Sequence, residues 1–194
     1  MSSRILIIGQ GLAGTALAWR LWERRVPFVI VDRDEPVTCS RVAAGLITPI
    51  TGMRLTVSWR YAMFYREALR FYRECGKRLK QRFFFPRGYV RLLKDGQEIA
   101  KWEKRRRDPD MQPFLHRQPP QLDADVVRDP QNGFQQRHAA WLDTNTYLQA
   151  SRTFFESLVS WRKADVKPED VHDDADGITW NAQRFSHVIW AQGW

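Results

Sequence analysis

Cysteine is scarce in this 194-residue chain, which has only Cys39 and Cys75. Two thiols cannot make a disulfide framework, and their spacing matches no zinc motif, so a reduced cytoplasmic setting is expected and a metal site is not. Long hydrophobic runs are also missing. No apolar stretch approaches the ~20 residues of a membrane span. The apolar run at residues 5–8 stops at a glycine cluster, too early for a signal peptide. Glycine (11) and proline (10) are too few for a fibrous or linker-like chain, and 43% hydrophobic content is too high for a disordered one. What remains is a chain long enough to bury a real core.

Acid is the charge in deficit: 22 Asp and Glu against 31 Lys and Arg give a net +9. The densest basic cluster is residues 101–107, Lys-Trp-Glu-Lys-Arg-Arg-Arg. It could be a patch for nucleic acid or an anionic membrane. It could equally be the solvated face of a helix whose Ile99 and Trp102 point inward. The second reading is preferred, because stacking aromatics are not interleaved with the charges. A nucleic-acid partner is therefore not expected.

The order of elements is informative. Residues 4–8 read as a short buried parallel strand, 12–25 as an amphipathic helix, and 28–31 as a second buried strand closed by Asp32. That is a βαβ unit. Residues 33–57 look like loop. A long helix is expected over about 58–80, strands around 83–85 and 88–93, and a charged helix over about 97–107. Residues 108–132 look irregular, with a candidate strand at 125–127. Another strand is expected at 134–137. Asp143 or Thr144 should cap a helix running to about 160. A strand then follows at 161–166, and 177–180 with 185–190 read as two arms of a hairpin.

Gly9-Gln10-Gly11-Leu12-Ala13-Gly14 is a GxGxxG placed between the first strand and the first helix. Asp32 ends the next strand. That combination is the dinucleotide fingerprint. Gly9 permits the tight turn, Gly11 lets a pyrophosphate approach the backbone, and Gly14 lets the helix lie close to the strand. The helix N-terminus offers amide donors to phosphate. Asp32 can accept hydrogen bonds from the adenosine ribose. It suits NAD or FAD and argues against a 2′-phosphate, although Arg33 beside it would tolerate one.

The stretch after Asp32 separates those options. Where a nicotinamide dehydrogenase would start another βα unit, a small-residue loop runs through Ser40 and Ala43-Ala44-Gly45-Leu46-Ile47-Thr48-Pro49 to Thr51-Gly52-Met53-Arg54. Together with the glycine motif this resembles the FAD-dependent oxidoreductases of the D-amino-acid oxidase superfamily, of the glycine oxidase type. Phe85-Pro86-Arg87-Gly88-Tyr89-Val90-Arg91-Leu92, Trp141-Leu142-Asp143-Thr144 and Val188-Ile189-Trp190-Ala191-Gln192-Gly193 are similar to later segments of that family. The resemblance covers the whole chain but only the N-terminal portion of a family member.

The resemblance implies an α/β fold: a Rossmann-like FAD-binding domain from 1–82 and 142–194, interrupted by a partial α+β substrate domain at 83–141. It implies FAD as cofactor. Gly9, Gln10, Gly11, Leu12, Ala13 and Gly14 would hold the pyrophosphate. Asp32, with Arg33 beside it, would bind the ribose. Ser40 would bond the phosphate or ribityl region. Ala43, Ala44, Gly45 and Leu46 would lie against the flavin. Val166 would meet the adenine through its backbone, and Ala191 and Gly193 would pass near the adenosine half. The implied activity is oxidation of an amine or amino acid by hydride transfer to flavin, with no side-chain base required and no catalytic residue singled out. Arg54, Arg87 and Tyr89, with Arg91 on the same strand, are candidates for a substrate carboxylate. Rival readings are an NAD-dependent dehydrogenase, an FAD-dependent tRNA-modifying oxidoreductase, and a non-catalytic dinucleotide-binding fragment.

Overall fold

The isoleucine-rich run near the N-terminus becomes the strand Ile5–Ile8. It lies inside a four-stranded parallel sheet in the computed structural model, which describes residues 4–128, 133–174 and 177–193. Across the sheet the order is Trp161–Lys163, Phe28–Asp32, Ile5–Ile8 and His187–Trp190. Ile5 lies opposite both Phe28 and His187, and Ile8 opposite Val31 and Trp190. Leu6, Ile7, Val29, Ile30 and Val31 are fully buried. Strands this apolar need cover on both faces, and both faces have it. On one, Leu6, Ile8, Val29 and Val31 pack with Val166, Trp180 and Phe185. On the other lie the helices Leu12–Glu23 and Thr144–Ser157. There Phe155 meets Phe28 edge-on at 5.4 Å, and Trp19 stacks on Phe154 at 4.8 Å. The buried Trp19 Nε1–H donates to Ser151 Oγ at 2.9 Å. The fold is a mixed α/β, Rossmann-like arrangement.

Two compact units make up the chain: Met1–Ala44 with Lys77–Phe83 and Asp143–Trp194, and Gly45–Gly76 with Phe84–Leu142. The expected boundaries put 45–76 with the parallel sheet, whereas packing groups it with 84–142. The second unit holds a small antiparallel sheet of Leu46–Ile47, Ala140–Leu142 and Phe84–Pro86, and the strand pairs Ile50–Thr51 with Thr56–Val57 and Tyr89–Arg91 with Phe134–Gln136. The helix Tyr61–Leu79 starts in it, with the Tyr61 and Tyr65 hydroxyls donating to the carbonyls of His138 and Ala139 at 2.7 and 2.8 Å. The basic cluster spans the end of the helix Gly96–Arg105 and the turn after it, with Lys101 and Lys104 exposed and Trp102 anchoring the helix by stacking on Phe134 at 3.9 Å. Arg105 bonds the Leu55 carbonyl and Asp108, and Arg106 pairs with Glu103.

Three expectations need correction. Residues 125–127 are not a strand. Asp123 forms a turn there, accepting the amide of Asp125 at 2.9 Å, and Val126 is exposed. The run 185–190 is not one hairpin arm. Gln183–Phe185 pairs with Gly177–Trp180 across Asn181 and Ala182, both at positive φ (48° and 56°) as a two-residue type I′ loop requires. After Ser186, whose amide donates to the Arg4 carbonyl at 2.9 Å, the chain joins the parallel sheet as His187–Trp190. The 33–57 loop also contains a short helix, Cys39–Val42, capped by Thr38. Residues 129–132, at the end of the expected irregular stretch, and Trp194 lie outside the described residues. Among the described residues no helix is long and apolar enough to cross a membrane.

Candidate functional site

Open parallel sheets hold ligands in the crevice beyond the carboxyl ends of their strands. Here that crevice is built by three segments meeting behind Ile8. Gly9 (φ +106°) donates its amide to the Val31 carbonyl at 2.7 Å, and Ala191 donates to the Ile8 carbonyl at 2.7 Å. A Cβ on Gly9 would overlap the Ala191 carbonyl, so only glycine fits. Gly14, one turn into the helix, sits so close to the turn that its own Cβ would overlap the Gly9 carbonyl oxygen.

Gly11 differs. Its φ of −74° suits any residue, and the space beside it opens towards Ser40, whose Oγ would lie 2.9 Å from an added Cβ. That Oγ accepts the Leu12 amide at 3.0 Å. The first-turn amides of a helix lack acceptors within the helix, and here one of them is given to a serine carried by the short helix Cys39–Val42.

Asp32 points back at the turn. Its Oδ2 accepts the Gln10 amide at 2.6 Å and its Oδ1 the Asp34 amide at 2.7 Å. Each carboxylate oxygen can accept two bonds, so one site per oxygen remains for a ligand. These groups surround a cavity of about 490 Å³.

The cavity brings together most of the expected binding residues: Gly9, Gln10, Gly11, Leu12, Ala13, Asp32, Arg33, Ser40, Val166, Ala191 and Gly193 all line it. Arg33 is paired with Glu35 at 3.1 Å. Val166 is buried in the core cluster, and its carbonyl accepts the Gln192 side chain at 3.0 Å. Gly14 supports the site from behind rather than lining it. Ala43 and Ala44 are exposed and are not among the lining residues. Gly45 and Leu46 belong to the second unit. There Gly45 (φ +71°) is pressed against the Leu142 carbonyl, and Leu46 pairs with Trp141.

The carboxylate candidates are also in the second unit. Arg54 is exposed in a turn. Arg87 lies 5.5 Å above the Phe85 ring. Arg91 is committed to Glu98. Burial pushes the Tyr89 hydroxyl above its ordinary range, against the pull of Arg87.

Cys39, expected from its place beside the small-residue loop to be a small buried residue rather than a flavin contact, is instead exposed and lines the cavity beside Ser40. Two parts of the site went unnoticed in the sequence. Thr38 also lines the cavity, and the cap pattern starting there was the signal for it. Behind Asp32 lies an ionic group. Asp34 accepts from Arg152 and from Lys163 at 3.3 Å, and Arg152 donates to Glu156 at 2.9 Å. The Arg152 hydrogen bond holds the Asp34 carboxyl below its ordinary range despite burial, helped by Lys163. No local sequence pattern marks that group. The donor set as a whole suits a ligand with phosphate and a vicinal diol: helix-terminal amides and a hydroxyl for the first, a fixed carboxylate for the second.

A profile of the family described as FAD dependent oxidoreductase (DAO) matches residues 4–193. Among solved structures, the chain is similar to glycine oxidase from Geobacillus kaustophilus (14% identity, TM-score 0.70, 98% of this chain and 56% of that one). It is also similar to iminodiacetate oxidase from Chelativorans sp. BNC1 (17%, 0.64, 90% and 50%). A third is L-amino acid deaminase from Proteus myxofaciens in complex with anthranilate (15%, 0.63, 99% and 46%). At these identities the likeness is one of fold, and the chain spans about half the length of these solved structures. No curated protein sequence matches it.

Proposed function

The chain belongs to the DAO family of FAD-dependent oxidoreductases, and from that membership we propose that it provides the cofactor-holding framework of an enzyme oxidising a small amine or amino acid. One observation carries this reading: the glycine turn, Asp32 and Ser40 converge on a single cavity at the carboxyl ends of the parallel strands. The residues fit the group. The gap at Gly11 that a Cβ would fill is where a pyrophosphate needs room, and Asp32 keeps two acceptor sites for a ribose diol.

In this reading Gly9 to Ala13 cradle the pyrophosphate, with the Gly11 and Ala13 amides and the Ser40 hydroxyl as its donors. The Gly9, Gln10 and Leu12 amides shape the turn through the Val31 carbonyl, Asp32 and Ser40. Asp32 orients the adenosine ribose, with Arg33 at its side. The Val166 backbone borders the adenine, and Ala191 and Gly193 close the adenosine half. Gly14 keeps the helix dipole aimed at the phosphates. For Ala43, Ala44, Gly45 and Leu46, the family resemblance alone supports a place against the flavin. It alone also supports Arg54, Arg87 and Tyr89 as substrate contacts. Bound FAD would supply the redox step, taking hydride from the carbon beside the substrate nitrogen. The names of the neighbours, glycine oxidase, iminodiacetate oxidase and L-amino acid deaminase, support the substrate class. A cysteine content of two, exposed Cys39 and buried Cys75, supports a reduced, cytoplasmic setting.

The purified chain is mixed with excess FAD, desalted, and then titrated anaerobically with a panel of amines and amino acids. Retained flavin whose visible absorption bleaches with at least one of them is the expected result. A chain that keeps no FAD, or keeps FAD that no amine or amino acid bleaches, contradicts the proposal.

A further inference from the structure

We propose that Arg152 is a positioning residue for the ribose-binding carboxylate of Asp32 and acts on it through Asp34, an inference that rests on the dinucleotide reading of the cavity.

The carboxylate of Asp32 is oriented by two main-chain donors. The first, the Gln10 amide, follows Gly9, which is fixed by the Val31 carbonyl and hemmed in by Ala191. The second, the Asp34 amide, sits in the loop after the strand. Its direction depends on the backbone of Asp34, which is left-handed with φ +62°. Few side chains accept that region, although aspartate is among the more tolerant. Something must hold it there.

What holds it is the Asp34 side chain. One oxygen accepts from Arg152 and the other from Lys163 at 3.3 Å. Lys163 is largely exposed, so its grip is weak, whereas the Arg152 side chain is only 16% exposed. Arg152 is itself fixed on two further sides. Its guanidinium lies 3.9 Å above the Trp161 ring, and its Nε–H donates to Glu156 at 2.9 Å. Trp161 and Lys163 sit on the strand paired with Phe28–Asp32, so that Lys163 lies opposite Asp32 itself. The relay therefore runs from the helix Thr144–Ser157 through Asp34 to the carboxylate, within one compact unit.

The two cations also settle the charge. Asp32 and Asp34 are two residues apart, and Asp34 meets both cations with its carboxylate. Arg152 and Lys163 neutralise Asp34 and leave the Asp32 charge for the ligand. Neither Asp34 nor Arg152 lines the cavity, so their effect on a bound nucleotide is indirect; Arg33 and Glu35 on either side of Asp34 do line it, and the diol preference is the readout that singles out Asp32. Two hydroxyls of a diol can meet the two oxygens only if the carboxylate plane is fixed. Losing the Asp34 amide frees that plane to rotate.

The test compares ADP with 2′,3′-dideoxy-ADP by calorimetry on the whole chain, with thermal unfolding run alongside. Wild type should prefer ADP roughly tenfold, since hydroxyls donating to an ionised acceptor form the stronger class of hydrogen bond. Arg152→Met should bring that preference close to one while leaving dideoxy-ADP affinity within about twofold. Asp34→Ala should do the same and carries the test if Arg152→Met fails to fold. An Arg152→Met protein that loses both affinities equally, with the preference intact, overturns the proposal, because Arg152 is then merely structural. A wild type that binds both nucleotides alike also overturns it, since Asp32 then does not read the diol. Binding of neither nucleotide or FAD by wild type removes the cavity reading and this inference with it.

Discussion

Gly11 and Gly14 stand in one motif yet should respond oppositely to alanine. At Gly14 the new Cβ would sit 3.1 Å from the Gly9 carbonyl carbon and deep inside contact distance of its oxygen, with the Ala191 Cβ at 3.4 Å. The obstacle is backbone, so no side chain can turn aside; the helix Leu12–Glu23 must lift away from the turn. Overpacking of this kind costs ~1–3 kcal/mol. Alanine regains ~1 kcal/mol of helix propensity. A backbone clash belongs at the upper end of the first range, so the net loss should be ~1–2 kcal/mol, or roughly 2–8 °C in Tm for a chain of this size. At Gly11, by contrast, φ is −74° and only the Ser40 hydroxyl stands nearby, at 2.9 Å from the added Cβ. Ser40 can rotate, so stability should fall by less than ~1 kcal/mol, the scale of losing a glycine N-cap. The methyl would still fill the space needed by a pyrophosphate, so FAD affinity should drop at least about tenfold, or ~1.4 kcal/mol. Thermal unfolding by circular dichroism and FAD titration by flavin fluorescence measure the two effects. A Gly14→Ala protein as stable as wild type, or a Gly11→Ala protein that binds FAD normally, would refute the reasoning.

Three further outcomes are expected. Ser151→Ala strips the acceptor from the buried Trp19 Nε1–H; urea unfolding should report a loss of ~1–3 kcal/mol, and an unchanged midpoint would show that the pair contributes nothing. Asp143 caps the helix Thr144–Ser157, accepting the Thr146 amide at 3.0 Å and its hydroxyl at 2.7 Å. Asp143→Ala should cost ~0.5–2 kcal/mol, and a loss no larger than at an exposed site such as Gln149 would count against the cap. Asp34 concerns pH. Its carboxyl is depressed below 3.8 by Arg152 first, with Lys163 adding to the effect and burial opposing it. A carboxyl depressed on folding stabilises the fold above its unfolded value, and that stabilisation is lost as pH falls through the lower folded value. Asp34→Asn should therefore narrow the stability difference between about pH 7 and about pH 3; an unaltered difference would mean that the Asp34 ion pairs do not contribute.

The front of the fold was legible because its signals are local and agree with one another. An isoleucine run, a glycine turn, an amphipathic helix and an acid-terminated strand each follow from neighbouring residues, and the sheet register bears out that βαβ reading. The 185–190 run was misread for the opposite reason. Phe185 and Val188 both face apolar surroundings, so composition gives no break between them. What divides them is pairing with residues about 180 positions earlier, through the Ser186 amide and the Ile5–Ile8 register. Val126 and Val127 suggested a strand by β-branching, but the Asp123 turn prevailed. The two-residue strands at Leu46–Ile47, Ile50–Thr51 and Thr56–Val57 are too short to show any period. In the candidate site, the glycines, Asp32 and Ser40 could be picked out from motif and resemblance. Asp34 and Arg152 could not, because 118 residues separate them and only the fold makes them neighbours.

The central claim is that FAD lies in the cavity behind Ile8 with its ribose on Asp32. A crystal structure of the chain grown with FAD measures this directly. The account predicts electron density for the adenosine diphosphate half in that cavity, with both ribose hydroxyls within hydrogen-bond distance of the Asp32 carboxylate and the pyrophosphate over Gly11. Density for FAD elsewhere, or in the cavity with its ribose turned away from Asp32, would contradict it.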